Sequence, residues 1–420
     1  MKRGFYTIMA AQFFSSLADN ALLIAAMALL ASMQSPKWMT PLLKLFFVLS
    51  YVVLAAFVGA FADSLPKGKV MFITNMIKVL GCAMIFFHIH PLIAYAMVGF
   101  GAAAYSPAKY GILTELLPPE KLVAANGWIE GLTVSSIILG TVLGGALVNP
   151  QVSALLLSLD FPLIDFPINS ATEAALTVIT ICYGLAALFN LKIPDTCARY
   201  AHQQHTPAKL ISDFGNCFLT LWKDKLGQIS LAVTTLFWGA GAALQFIVLD
   251  WAKNSLNMPL DKAAILQGVV AIGIALGAVA AARFVPLKKS LGVMPLGIAM
   301  GLVVTTMTMV HNVWIAYPLL ILIGALAGYF VVPMNALLQH RGHVLMSAGH
   351  SIAVQNFNEN LSVLTMLALY ALMVYLNLNI QVVIVMFGLF VAGTMYLVMR
   401  KHAANQREHD SLALIGEHKH

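Results

Sequence analysis

Long apolar runs alternate along this chain with short polar joints rich in glycine and proline. A helix needs about 20 predominantly apolar residues to cross the hydrocarbon core of a bilayer. The pattern predicts twelve spans, over roughly 5–32, 41–62, 69–89, 91–113, 121–148, 170–190, 227–251, 262–285, 291–311, 314–338, 346–374 and 378–399. One long interruption, 191–226, is polar and basic, and 197–205 within it resembles no span. It divides six spans from six. The expected organisation is a six-helix bundle over 1–190, a cytoplasmic linker over 191–226, a second bundle over 227–400 and a disordered cytoplasmic tail over 401–420.

The first run contradicts its own apolarity. Residues 5–32 carry an acid, Asp19, beside an amide, Asn20, near the middle. A carboxylate at that depth costs a few kcal/mol unless it faces a wet cavity or a partner. The local sequence offers no partner. Two other spans repeat the theme. Gln12, Ser16 and Asp19 share one face of span one at helical spacing. Asn126, Glu130 and Thr133 do so on span five, and Ser351, Gln355 and Glu359 on span eleven, where Asn356, Asn358 and Asn360 enlarge the cluster. Such stripes can line a cavity that binds a polar or zwitterionic group, the acids facing an ammonium. They can equally be interhelical hydrogen bonds that hold a bundle together. The first reading is favoured for Asp19 and Glu359. Glu130 could instead pair with Lys109 or Lys78. Lys109, near the membrane edge, either snorkels to the interface or meets a phosphate.

Composition agrees with the pattern. Of 420 residues 60% are hydrophobic and 10% charged, and the mean hydropathy is +0.85, against about 25% charged in a soluble domain. The fold class is an all-α polytopic membrane protein. The net charge of +7 is spread over short loops, so it is no nucleic-acid footprint. The first apolar segment is too long for the core of a cleavable signal and reads as a retained span. Cys82 and Cys182 fall in spans, Cys197 and Cys217 in the basic loop, without CxxC spacing. No disulfide, metal site or cofactor is expected. The chain has no G-x-S-x-G elbow, no P-loop and no His-x4-Asp acyltransferase pattern, which excludes those enzyme classes and leaves a transporter without its own ATPase.

Lysine and arginine set the orientation. With both termini cytoplasmic, eighteen of them fall on the cytoplasmic side, among them Lys2, Arg199, Arg341 and Lys419. Only Lys37, Lys44, Lys253 and Lys262 fall on the other. The two halves look related. Superposing Pro107 of span four on Pro333 of span ten, an offset of 226 residues, sets Asp19 opposite Gln245 in span seven and Asn126 and Glu130 opposite the span-eleven cluster. Related six-span halves with matching polar positions fit a parallel repeat around a central cavity.

Between spans two and three, Gly59-Ala60-Phe61-Ala62-Asp63-Ser64-Leu65-Pro66-Lys67-Gly68-Lys69-Val70 resembles the signature loop of the major facilitator superfamily. Gly59 permits close helix approach. Asp63 at the membrane edge can accept from a facing helix N-terminus or a cation. Gly59, Asp63, Lys67, Gly68 and Lys69 are therefore expected to latch the two halves on the cytoplasmic side. Four further segments, 11–23, 101–113, 237–241 and 353–360, are similar to the bacterial lysophospholipid transporter family, and the likeness runs across nearly the whole chain. The resemblance implies an inner-membrane protein that moves lysophosphatidylethanolamine and related lysolipids from the outer to the inner leaflet. It implies a partner, an acyltransferase–acyl carrier protein synthetase that reacylates them, and places the family's polar residues at Asp19, Lys109 and Glu359. One departure stands out: the family's span-seven arginine is Gln245 here, and Asp250 replaces an apolar residue nearby.

The expected substrate-binding set is therefore Asp19, Asn20, Lys109, Asn126, Glu130, Gln245, Gln355, Asn356, Glu359 and Asn360. Without the arginine, Asp19 is expected to rely on amides, water, Lys109 or the substrate's own ammonium, which would make it a head-group sensor. A monomer surrounded by membrane lipid is expected. The rival readings are a proton-coupled drug or metabolite exporter on the same fold, and a non-transporting scaffold for the acyltransferase.

Overall fold

The computed structural model describes residues 3–36, 39–158, 170–198, 200, 206–258, 260–408 and 411–415. Lys2, Lys37, Arg199 and Lys419, used above to orient the chain, lie outside the described residues, as do the side chain of Lys262 and the ends of the expected tail, 409–410 and 416–420.

The described residues form fifteen α-helices and four short 3-10 turns, with no strand. In chain order the helices are α1 (Arg3–Ser32), α2 (Met39–Val53), α3 (Ala55–Ser64), α4 (Lys67–Phe86), α5 (Pro91–Leu116), α6 (Leu122–Leu147), α7 (Pro150–Leu157), α8 (Ala171–Leu191), α9 (Pro207–Lys223), α10 (Gly227–Ser255), α11 (Leu260–Phe284), α12 (Met294–Thr305), α13 (Val313–Leu345), α14 (Ala348–Tyr375) and α15 (Ile380–Glu408). Each of the twelve expected segments holds a helix. Ten stretches are long and apolar enough to cross a membrane, eleven if α2 and α3, bent by 67° at their break, count as one. The segment short of that measure is α5. It is 26 residues long, but its second half carries Tyr105, Ser106, Pro107, Lys109 and Tyr110. Large apolar side chains stand outward all over the surface, Trp314, Phe87 and Leu397 among them. Apolar exposure on that scale would aggregate a soluble protein and suits lipid contact. The chain is a multi-pass membrane protein.

Local chemistry places the helix starts. Ser170 and Glu173 form a reciprocal capping box ahead of α8, and Asn312 and Ser347 cap α13 and α14 with their side chains. Pro107 and Pro333 sit inside α5 and α13, which membrane helices tolerate when neighbours satisfy the freed backbone.

The helices fall into two compact units. One comprises residues 1–112 and 135–210; the other comprises 113–134 and 211–420. The first half expected from the sequence thus lacks 113–134, which belong with the second unit. In the first unit α1 and α4 both pack on α8. Ala18, Ala21, Leu22, Ala25 and Ala26 of α1 meet Ala175, Leu176, Ile179 and Tyr183 of α8. Small residues let backbones approach where no water drives association. In the second unit α10 packs on α14, α12 on α15, and α11 on α13. The last pair is closest. A Cβ on Gly277 would stand 2.0 Å from the Ala325 carbonyl oxygen, and one on Gly328 2.1 Å from that of Ile274.

Two expectations about the polar segments change. The linker over 191–226 contains α9, an amphipathic helix. Its Phe214, Cys217, Phe218, Leu221 and Trp222 pack with Leu231, Leu338 and Val354 of the second unit. The tail is not disordered from 401: α15 runs on to Glu408 and a 3-10 turn covers Ser411–Leu414. The cause is local and tertiary. Residues 401–408 are mostly good helix formers, Asn405 donates to the Lys225 carbonyl at 3.2 Å, Glu408 pairs with Lys225, and Ile415 is buried.

Candidate functional site

The polar residues buried among these spans divide between the units. In the first unit the centre is Asp19. Lys78 of α4 reaches across and sets Nζ 2.8 Å from Asp19 Oδ2. Tyr183 of α8 donates its hydroxyl to Asp19 Oδ1 at 2.7 Å. Lys78 also donates to Ser15 Oγ at 3.0 Å, and Ser15 donates to Asn75 Oδ1 at 2.8 Å. The ammonium stands over the rings of Tyr105 and Tyr183, 5.1 and 5.7 Å from their centroids, positions where a ring quadrupole attracts a cation. Lys78 is 1% exposed, whereas the Asp19 side chain retains 16%. The cluster is thus an ion pair inside an aromatic cage, open on the carboxylate side.

This corrects the sequence reading of Asp19. Asp19 does not wait for an amide, water, Lys109 or a substrate ammonium; Lys78 of the same unit neutralises it. Lys78, in turn, spends its charge on Asp19. The signal was present: Lys78 is a cation deep in span three, subject to the same argument that singled out Asp19. Tyr183 carried no such signal. Asn20 turns its amide back onto the Ser16 carbonyl at 2.8 Å, so it serves its own helix. Lys109 is only 8% exposed and stands 4.0 Å from the Tyr110 ring centroid. It is buried, which removes the snorkelling reading.

The signature loop lies wholly in the first unit. Lys67 and Asp63 pair at 2.6 Å with their side chains 3% and 1% exposed. Lys67 also donates to the Ala62 carbonyl at 2.8 Å and stands over the Tyr200 ring. One cation beside the acid thus comes from its own loop. Gly68 is set by packing: a Cβ there would come within 2.9 Å of the Asn190 carbonyl oxygen and 3.1 Å of Ile193 Cβ. Gly59 is buried in α3 and Lys69 is exposed.

In the second unit several residues of the stripes are bonded to neighbouring helices. Asn126 and Gln339 exchange two hydrogen bonds of 2.9 Å, Nδ2 to Oε1 and Nε2 to Oδ1, joining α6 to α13. Asn126 Nδ2 also donates to the Leu122 carbonyl. Gln339 was not singled out from the sequence. Gln355 donates through Nε2 to Glu359 Oε1 at 2.7 Å and to Asn335 Oδ1 at 3.1 Å, so the two stripe residues do meet, with α13 as third party. Glu130, Asn356 and Glu359 are buried. Asn360 donates to the Asn356 carbonyl. Gln245 is half-buried and pairs with Gln267 of α11 at 3.0 Å, which ties α10 to α11. Below them Arg341 grips Asp224 through two nitrogens, at 2.7 and 3.2 Å. Asp224 Oδ2 meanwhile accepts from the Gly227 amide at 2.7 Å and caps α10. Among the described residues no His, Cys, Asp and Glu cluster could hold a metal ion.

The Major Facilitator Superfamily profile matches residues 8–362. The lysophospholipid transporter LplT of Yersinia enterocolitica is 42% identical over 90% of this chain and 89% of its own length, and that of Yersinia pestis 42% over 90% and 88%. The chain belongs to the lysophospholipid transporter family of the major facilitator superfamily. Its fold has the same relations among solved structures. The human organic anion transporter MFSD10 superposes with a TM-score of 0.74 at 16% identity, over 96% of this chain and 100% of that one. The E. coli fucose:proton symporter FucP gives 0.71 at 14%, over 95% and 98%. At that identity the superpositions establish the major facilitator fold and nothing about cargo. Family membership also makes the chain a transporter and not an enzyme.

Proposed function

We propose that this protein carries lysophospholipids, chiefly lysophosphatidylethanolamine, from the outer to the inner leaflet of a bacterial inner membrane for reacylation. The observation that carries the reading is the 42% identity to lysophospholipid transporters over 90% of the chain. The buried polar groups support it, because charged side chains held at membrane depth are costly and accompany substrate paths. Twelve spans in two six-helix halves, both termini cytoplasmic, would rock about a central cavity and present it to each leaflet in turn. The protein acts as a monomer among membrane lipids, and its functional partner is the acyltransferase–acyl carrier protein synthetase that uses the delivered lysolipid.

Within that scheme the lysolipid's phosphate meets Lys109 and amide donors, while Glu359, Gln355 and Asn356 order the polar side of the cavity. Asp19, already paired, holds α1, α4 and α8 in register and offers only its exposed edge to a head group. Asp63 and Lys67 stabilise the outward-open state. A proton-coupled exporter would use the buried acids as proton carriers, and of these Asp19 is already paired with Lys78.

Reconstitution tests the proposal. Purified protein in liposomes should translocate labelled lysophosphatidylethanolamine, leave a diacyl control in place, and be indifferent to a protonophore. Absence of translocation by the protein alone would reduce it to a scaffold. Abolition by the protonophore would favour the exporter.

A further inference from the structure

Asp250 lies in none of the clusters above. It sits near the end of α10, half-buried, and lines a cavity of about 250 Å³ with Asn254, Tyr370, Val374, Asn377, Leu378, Ile380 and Val383. Space of that size corresponds to roughly eight waters. Tyr370 of α14 donates its hydroxyl to Asp250 Oδ2. Among the described residues nothing else donates to the carboxylate, and no lysine, arginine or histidine pairs with it. A second cavity of about 420 Å³ adjoins, sharing Asn254, Leu378 and Ile380 and adding Gln381. Gln381 donates to Ser255 Oγ at 2.9 Å, while its Oε1 is buried with no hydrogen-bond partner. Asn254 spends its amide on the Asp250 carbonyl, and Asn377, in the left-handed region at φ 55°, spends its own on Tyr375. Among the lining residues the buried side-chain atom left without a partner is an acceptor, Gln381 Oε1, and Asp250 adds a half-buried carboxylate oxygen to which no described residue donates. A buried acceptor without a donor is costly, and a negative site that also has Val374, Leu378 and Ile380 in its lining suits a small organic cation.

We infer that Asp250, with Gln381 and Tyr370, forms a subsite for a primary ammonium and selects the ethanolamine head group over an uncharged alcohol. The inference rests on the lysolipid reading above. On the proposed topology these helix ends face the outer side, where lysolipid arrives. The ammonium supplies three donors to a set of acceptors, and its ethylene group meets the apolar wall. Tyr370 orients the carboxylate and stays bound to it.

The test compares labelled lysophosphatidylethanolamine with lysophosphatidylglycerol in liposomes holding the full chain. Asp250→Asn should lower the ratio of ethanolamine to glycerol lipid uptake by about tenfold, the loss expected for one charge-assisted contact. Asp250→Glu should recover part of the ratio. Tyr370→Phe should lower the ratio by less than Asp250→Asn does, because it removes the group that orients the carboxylate and leaves the charge in place. An unchanged ratio in Asp250→Asn overturns the assignment, and so does a Tyr370→Phe protein that matches Asp250→Asn, since the pair would then be a tie between helices. Sodium dependence shared by both lipids and lost in Asp250→Asn would make the site one for a metal ion and also overturn it. Failure of the unaltered protein to move either lipid is a separate result, which defeats the lysolipid reading and this subsite with it.

Discussion

Lys78 of α4 and Asp19 of α1 meet at 2.8 Å deep within the first unit, with Tyr183 on the carboxylate's other oxygen. A buried ion pair is weak evidence of net stability, yet removing one partner alone is strongly unfavourable. Lys78→Met should destabilise the protein by about 2–4 kcal/mol, somewhat under the usual range because Asp19 keeps 16% of its side chain exposed. Asp19→Asn with Lys78→Met should restore most of the loss. Unfolding of the purified variants in detergent checks both; a double variant less stable than Lys78→Met would exclude the pair as the cause.

The amide exchange between Asn126 and Gln339 should couple energetically. Single alanine variants are expected to lose about 1–2 kcal/mol each, with a coupling near 0.6 kcal/mol per hydrogen bond, the typical value between membrane helices. A double-mutant cycle on unfolding free energy measures it. Strict additivity would mean that the two amides act independently.

Gly68 tests the signature loop without touching charge. Gly68→Ala places a methyl 2.9 Å from the Asn190 carbonyl oxygen, and overpacking of that kind costs about 1–3 kcal/mol. We expect a lower unfolding temperature and a transport loss that Lys69→Ala, on an exposed residue, does not share. Equal behaviour of the two variants would place the loop's importance in charge.

The junction of Arg341 with Asp224 should report on the chain's end. Arg341→Gln removes both guanidinium contacts with Asp224 and frays the cap of α10. Amide exchange should rise at the start of α10 and along 401–408. Arg341→Lys should recover little, since one ammonium cannot reproduce a two-pronged grip. Full recovery by lysine would show that charge alone suffices.

The sequence made the helical architecture legible because membrane depth imposes long apolar runs that short joints interrupt. Asp19, Lys109, Glu130 and Glu359 stood out for the same reason, being polar where polarity is costly. Their partners did not. Lys78 was visible as an equally costly cation, but pairing it with Asp19 requires knowing that α1 and α4 both lie on α8. Gln339 and Tyr183 sit where hydrogen bonding and packing read alike in one dimension. The helical content of 401–408 was hidden because its anchors, Lys225 and its carbonyl, lie some 180 residues earlier.

One element joins regions treated apart above. Helix α15 has 29 residues, hence a length of about 44 Å, against a hydrocarbon core of about 30 Å. Its first residues, Ile380, Gln381 and Val383, border the cavities beside Asp250; its last, Glu408, is tethered to Lys225 ahead of α10. A rod of that length turns small tilts into large displacements: about 10° at one end swings the other by about 8 Å. A tilt of α15 at the rim of the Asp250 cavity is therefore expected to move its far end beside Lys225, and a spin label or fluorophore beyond Lys401 would read that movement as a change of distance.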